Sequence, residues 1–216
     1  MKLYSIDIFS GCGGLTLGMR QAGFNTRVAI EIDECATKTF KLNHKQTKVI
    51  NADIRQVSAQ ELRLHLDGQP LHFLAGCPPC QGFSAVRRLN KKRNKRDERN
   101  SLLLEYLRLV IELRPIAIML ENVPGILNYY LFPRFLSDLE RLGYRLDYSV
   151  VNIKDYGIPQ SRRRLVLVGS LLGDIRVANP KAKSIPTVRD TIGELPPPGT
   201  TTDWLHKIIA THTPEV

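Results

Sequence analysis

"KLYSIDIFSGCGGLTLGMRQAG", residues 2–23, carries the reading of the fold. Its first eight residues are rich in β-branched and aromatic side chains and stop at Ser10-Gly11-Cys12-Gly13-Gly14, which suits a strand entering a tight turn. Leu15, Met19 and Ala22 then recur at helical spacing, and Gly23 stands where a helix-ending glycine is expected. "TRVAIEI" (26–32) reads as a second strand and "ECATKTFKLNH" (34–44) as the helix after it. A β, α, β order is therefore in place by residue 44.

The alternation continues down the chain. "TKVINADI" reads as a short strand, and "SAQELRLHL" as a helix opened by Ser58 with Glu61 three residues on, the spacing of a capping box. "LHFLAG" (71–76) is a strand, "SLLLEYLRLVIEL" (101–113) a helix, and "PIAIMLENV" (115–123) a nearly continuous apolar strand, as expected in a parallel sheet buried on both faces. "FPRFLSDLERLGY", "RLDYSVVNI" and "RRLVLVGS" add a helix and two strands. The expected architecture is a doubly wound α/β domain with a mostly parallel sheet over residues 1–175. From 176 to 216 the composition turns to Pro, Gly and Thr without a sustained period, the pattern of a linker leaving the domain.

Composition narrows the class of protein. With 43% apolar and 24% charged residues the 216-residue chain can bury a core unaided, so disorder is not the default. No apolar run approaches the ~18 residues of a membrane span, and the N-terminus lacks a signal peptide's apolar core, which predicts a soluble, cytoplasmic protein with no membrane partner. Four cysteines without an export signal read as free thiols. The formal charge of +10 attracts polyanions, and much of it is local. Residues 87–99, "RRLNKKRNKRDER", carry eight basic and two acidic side chains, either a solvated loop or a phosphate-contacting one.

The first glycine turn has two readings. It is a plain structural turn, or its glycines let a ligand approach the backbone while the helix start favours an anion. Glu31, twenty residues after Gly11 at the end of the second strand, is placed to accept hydrogen bonds from ribose hydroxyls. Asp53 can do the same for an adenine amino group. The paired acids favour a nucleoside ligand.

"GCPPCQGFS" (76–84) follows a strand at the carboxyl edge, where α/β sheets put their ligands. A zinc site needs about four ligands, and no second Cys-x-x-Cys or His pair accompanies this one, so no metal is expected. A redox pair of the thioredoxin kind opens a helix, whereas Pro78 and Pro79 stiffen an extended loop. A nucleophilic cysteine remains.

Taken in order, "DIFSGCGGLTLG", "EIDE", "NADI", "GCPPCQGFS", "ENVPGI" and "QSRRR" resemble the cytosine-5 DNA methyltransferase family over about residues 4–170. The resemblance implies a sheet of the S-adenosylmethionine-dependent methyltransferase type and transfer of a methyl group from S-adenosyl-L-methionine to carbon 5 of cytosine in double-stranded DNA, leaving S-adenosyl-L-homocysteine. It implies a catalytic set of Cys80, Glu121, Arg162 and Arg164. Cys80 would add to carbon 6 of a flipped cytosine, Glu121 would hold ring nitrogen 3 and the exocyclic amine, and Arg164 the ring oxygen. These types suit the chemistry, because a poor electrophile needs both a thiolate and groups that stabilise charge developing on the ring. Extrusion of the base is needed because carbons 5 and 6 are out of reach within a duplex.

For the cofactor the resemblance implies Phe9, Gly11, Gly13, Leu15, Glu31, Ile32, Asp53, Ile54 and Pro79, with Phe9 stacking on the adenine. For DNA it implies Ser84, Arg87, Arg88 and Gln160, and it assigns residues 85–100 to a loop closing over the flipped base. Cys77 is then a packing residue or bystander, and Cys12 and Cys35 small apolar fillers.

The sequence also departs from the family. The target-recognition region and the final motif that completes the cofactor pocket do not follow "PTVRDTIGELPPPG". The chain is therefore expected to be a fragment, or one part of a split enzyme whose second polypeptide carries the remainder, and to bind cofactor weakly and methylate poorly alone. Two rivals stand beside this reading: a tRNA cytosine-5 methyltransferase with the same active site, and a catalytically incomplete DNA-binding subunit. "QGFS" and the basic loop look more like the bacterial DNA enzymes.

Overall fold

A computed structural model describes residues 2–79, 102–180, 182, 184–203 and 206–207. Seven strands form one sheet: β1 (Leu3–Ile8), β2 (Phe24–Glu31), β3 (Lys48–Asn51), β4 (Phe73–Gly76), β5 (Ala117–Asn122), β6 (Arg145–Asn152) and β7 (Arg163–Ser170). The order across the sheet is β3-β2-β1-β4-β5-β7-β6. The pairs β1–β2, β1–β4, β2–β3 and β4–β5 are parallel, and β5–β7 is antiparallel. The doubly wound, mostly parallel sheet expected from the sequence is present. Its order reverses between β1 and β4, so the carboxyl ends of those two strands flank a crevice of the kind in which such sheets hold ligands.

Helices α1 (Gly14–Gln21), α2 (Glu34–Asn43), α3 (Ala59–Leu64), α4 (Leu102–Leu113) and α5 (Phe132–Arg141) connect these strands. Their ends follow local chemistry. Gly23 has φ +90° just past the Ala22 cap of α1, a left-handed conformation that costs glycine little. The Asp33 carboxylate accepts the Ala36 N–H at 2.7 Å to start α2, and Ser58 accepts the Glu61 N–H at 3.1 Å, forming its half of the capping box that starts α3.

Ile6, Ile8, Val28, Leu74, Ile118, Leu120, Leu165 and Leu167 are fully buried in the sheet, each worth about 1.5–3 kcal/mol of transfer free energy. Tyr106 of α4 is equally buried, and its hydroxyl donates to the Met119 carbonyl at 3.0 Å, which ties α4 to β5. One expectation changes here. β5 is buried on the face of Ile118, Leu120 and Asn122 but only half-buried on the face of Ala117, Met119 and Glu121. Half-burial suits the Glu121 side chain, because fully burying a carboxylate is costly.

The chain forms two compact units, Met1–Val151 with Arg163–Asn179, and Asn152–Arg162 with Pro180–Val216. In the second, the stretch that lacked a period in the sequence contains a short helix, α6 (Val188–Ile192). Thr187 Oγ1 accepts the Asp190 N–H at 3.1 Å, and Asp190 Oδ2 accepts the Thr187 N–H at 2.8 Å. This reciprocal cap holds a helix too short to show periodicity. Among the described residues no helix is long and apolar enough to cross a membrane.

Candidate active site

The site grows from the carboxyl ends of β1, β2, β4 and β5. Past Ile8 the chain turns sharply. Phe9 takes φ +61°, Gly11 +53° and Gly13 +95°. A side-chain-bearing residue held in the left-handed region carries a cost of order 1–3 kcal/mol, and such strain gathers at ligand-binding positions. The turn is braced by Glu31 at the end of β2. Its carboxylate accepts the Gly11 N–H at 2.8 Å through one oxygen and the Asp33 N–H at 2.9 Å through the other. Each carboxylate oxygen has two lone pairs, so acceptor capacity remains for a ligand.

Asp53 lies beyond β3. It accepts the Arg55 N–H at 3.0 Å and pairs with the Arg55 guanidinium at 2.5 Å. The Arg55 hydrogen bonds hold the Asp53 carboxyl below the ordinary carboxylate range.

These elements enclose a cleft of about 420 Å³. Six residues named from the sequence line it: Phe9, Glu31, Ile32, Asp53, Ile54 and Pro79. Ile32 is 64% exposed, an apolar surface turned toward solvent beside two carboxylates. Gly11, Gly13 and Leu15 form the adjoining turn and first helical residues, outside that lining. A larger cleft, about 640 Å³, opens between α1, the start of β2 and the end of α2, where none of the named residues lies.

The second half of the site sits where β5 meets β7. Antiparallel pairing sets Glu121 opposite Val166 and Asn122 opposite Leu165, which brings Arg164 beside the end of β5. Arg164 Nε lies 2.8 Å from Glu121 Oε1, and Arg164 Nη1 donates to the Arg163 carbonyl at 2.7 Å. Asn122 donates through Nδ2 to the Pro78 carbonyl at 3.1 Å, fastening the Cys77-Pro78-Pro79 segment to β5. Gly76 allows that segment to leave the sheet close to β1, since a Cβ there would meet Ile8 Cγ1 at 2.6 Å.

Cys77 is half-buried against this pair. Burial, reinforced by the Glu121 carboxylate, pushes its thiol far above the ordinary thiol range. A thiol raised in this way is a poor nucleophile. Cys12 and Cys35, expected as apolar fillers, are exposed. The turn and the first turn of α2 that carry them face solvent.

Cys80, Ser84, Arg87 and Arg88, and with them the basic loop, lie outside the described residues. Gln160 and Arg162 belong to the second unit. There the Arg162 N–H donates to Asn152 Oδ1 at 3.1 Å and the Gln160 N–H to the Ile158 carbonyl at 2.7 Å.

Three contributors escaped sequence reasoning. Arg55 borders the cleft, Asn122 fixes the proline segment, and Asp7 is fully buried in β1, where it accepts the Thr16 hydroxyl at 2.6 Å. The signal for Asp7 was available, because a carboxylate inside an apolar strand demands a partner. Among the described residues, no group of three or more His, Cys, Asp or Glu is placed to hold a metal.

A cleft lined by two carboxylates and an aromatic ring thus lies next to an acid–guanidinium pair at the carboxyl ends of the parallel strands. The comparisons are more specific. A model of the family described as C-5 cytosine-specific DNA methylase matches residues 3–213, and the chain belongs to that family. Type II methylase M.HgiDII of Herpetosiphon aurantiacus is 37% identical over 195 residues, covering 88% of this chain and 54% of its own. Type II methyltransferase M.AquIA of Picosynechococcus sp. is 33% identical over 227 residues, covering 91% of this chain and 90% of its own.

A prophage-encoded E. coli chain described as a DNA modification methyltransferase superposes with a TM-score of 0.77 at 34% identity, over 90% of this chain and 56% of its own. Spodoptera frugiperda DNMT2, at 21% identity and a TM-score of 0.68, shares the fold over 86% of this chain and 57% of its own. Except for M.AquIA, this chain spans about half the length of these relatives.

Proposed function

We propose that this chain carries the cofactor-binding and catalytic half of a cytoplasmic DNA cytosine-5 methyltransferase acting on double-stranded DNA. The observation that carries the reading is the Glu121–Arg164 pair, 2.8 Å apart, on the same sheet edge as the cleft lined by Phe9, Glu31 and Asp53.

The cleft residues fit S-adenosyl-L-methionine. The Phe9 ring and the exposed Ile32 side chain offer apolar surface to a purine, and the Glu31 and Asp53 carboxylates offer acceptors for ribose hydroxyls and the adenine amine. When bound, the cofactor supplies an electrophilic methyl group and departs as S-adenosyl-L-homocysteine.

On the substrate side, Cys80 adds to carbon 6 of a cytosine flipped from the duplex. Glu121 engages ring nitrogen 3 and the exocyclic amine, and Arg164 engages the ring oxygen. Together these contacts stabilise the electron density that the attack pushes into the ring, so carbon 5 becomes the nucleophile. Once carbon 5 carries the methyl group, loss of its proton to a base expels Cys80 as the thiolate and restores the ring double bond. By the family resemblance Arg162 is a further member of the catalytic set, and Ser84, Arg87, Arg88 and Gln160 contact DNA.

A recognition region on a second polypeptide is part of the same proposal, supported by M.AquIA, a relative matched over 90% of its own length.

The test is covalent trapping on duplex DNA containing 5-fluorocytosine, which cannot lose a proton from carbon 5. With S-adenosyl-L-methionine and the recognition half supplied, a denaturation-resistant adduct mapping to Cys80 is expected. An adduct on matched transfer RNA alone would move the substrate to RNA. Absence of any adduct would favour the catalytically incomplete DNA-binding subunit.

A further inference from the structure

His44 ends α2, far in sequence from the glycine turn, and is 6% exposed. Its backbone is fixed on both sides. The His44 N–H donates to the Phe40 carbonyl at 2.8 Å, and the His44 carbonyl accepts the Thr47 N–H at 3.0 Å. The ring lies 4.6 Å from the Phe40 ring, at an interplanar angle of 40°. Its other edge presses on the turn. A Cβ placed on Gly13 would meet His44 Cδ2 and Nε2 at 2.4 Å and Phe40 Cδ2 at 2.9 Å. Gly13 is the residue from which α1 starts, with φ +95° and ψ 19°, and its carbonyl accepts the first helical N–H, from Leu17, at 2.9 Å. The ring edge, Cδ2 and Nε2, faces the Gly13 main chain, and burial, aided by the Arg20 charge and opposed by that main chain, holds the imidazole below the ordinary histidine range.

The turn is therefore gripped twice by segments joined to α2. Glu31 holds Gly11 and Asp33 at the start of α2, and His44 holds Gly13 at its end. The first grip uses a carboxylate assigned to the ligand. The second does not touch the cofactor cleft at all, since His44 lines the larger cleft behind the turn.

We propose that His44 is a positioning residue for cofactor binding: its ring, backed by Phe40, sets the left-handed backbone of Gly13 and so the direction in which the glycine turn presents its amides and Phe9. The inference rests on the cofactor reading given above. It also explains why glycine stands at position 13 on packing grounds, because the imidazole occupies the space a side chain would need.

The experiment is calorimetric titration of S-adenosyl-L-homocysteine into the wild-type chain and three variants, His44→Ala, His44→Phe and His44→Gln, with thermal unfolding of each. His44→Ala removes wall and donor and is expected to weaken binding about tenfold. His44→Phe fills the space without the donor and is expected to weaken it about threefold, the range of one neutral hydrogen bond. His44→Gln keeps an N–H and is expected to recover affinity to within about twofold of wild type, a rescue that a purely structural residue does not show against Phe.

Equal affinity of wild type, His44→Ala and His44→Phe would overturn the inference. So would losses that follow thermal stability across the three variants without regard to the donor. If His44→Ala does not fold, the comparison of Phe with Gln decides alone. Failure of the wild-type chain to bind S-adenosyl-L-homocysteine even with the recognition half supplied would instead overturn the cofactor reading.

Discussion

Arg164 Nε lies 2.8 Å from Glu121 Oε1 across the antiparallel junction of β5 and β7, with side-chain exposures of 17% and 26%. The junction ends the parallel run from β3 to β5 at the edge that carries the site, and so brings a late residue beside an earlier strand end. An acid and a guanidinium held in this way are already oriented before substrate arrives, and preorganised donors are worth most where charge develops.

Replacing Arg164 by Ala is expected to lower methyl transfer by about 10²-fold or more, the usual loss for one charge-stabilising donor. Arg164→Lys is expected to recover little, because an ammonium lacks the planar fork that serves a carboxylate and a ring oxygen together. Single-turnover methylation with saturating cofactor and DNA measures both. Near-complete activity in Arg164→Ala would remove this residue from the mechanism.

Cys77 and the two exposed cysteines are expected to differ in reactivity. Burial and the Glu121 charge keep the Cys77 thiol protonated, while Cys12 and Cys35 face solvent. At pH 8 a maleimide reagent should label Cys12 and Cys35 at least about tenfold faster than Cys77, since only thiolate reacts. Peptide mass spectrometry over a time course reads the order. Cys77→Ala should retain methyl transfer within about threefold, having lost no group that touches substrate. A hundredfold loss would make Cys77 part of the chemistry.

Much of the architecture was legible from local pattern. The strand–turn–helix of residues 2–23, the apolar strands and the Ser58 cap all depend on neighbours in sequence. So did the spacing of Phe9, Glu31, Asp53 and Pro79, which the parallel sheet gathers around one cleft. What escaped depends on contacts between distant segments. His44 against Gly13, Asn122 against Pro78 and Thr16 against Asp7 are side-chain pairings fixed by how helices cross the sheet. No local periodicity encodes them. Cys12 and Cys35 were misjudged for a related reason: small thiols are common in cores, but a turn at a sheet edge faces water whatever residues it carries.

Gly76 tests the close approach of β4 to β1. A methyl group there would meet Ile8 Cγ1 at 2.6 Å, the Ile8 carbonyl oxygen at 2.9 Å and the Tyr106 ring at 3.3 Å. Backbone and a fully buried ring cannot yield as a surface side chain does. Gly76→Ala is expected to cost about 1–3 kcal/mol, the range for overpacking a core. Urea unfolding monitored by circular dichroism measures it. A change under about 0.5 kcal/mol, the scatter of neutral surface substitutions, would show that the strands have room to separate.

Asp7 tests the electrostatics beneath the turn. It is fully buried; Oδ2 accepts the Thr16 hydroxyl, while Oδ1 has no hydrogen-bond partner among the described residues. Burial raises its carboxyl from 3.8 to about 7, opposed by the Thr16 hydrogen bonds and aided slightly by Glu31. A raised carboxyl means that the folded protein binds a proton which the unfolded chain has lost. Stability from this group is therefore fully present below about pH 4, falls as the pH rises, and levels off above about pH 7. The fall amounts to a few kcal/mol at most, on the order of 1.4 kcal/mol per pH unit crossed. Asp7→Asn keeps the shape and an acceptor for Thr16 without a titrating proton. It is expected to be more stable than wild type at pH 8, with the advantage shrinking toward pH 5. Melting temperatures of both proteins from pH 5 to 8 measure this, and parallel curves would show that Asp7 stays ionised in the folded protein.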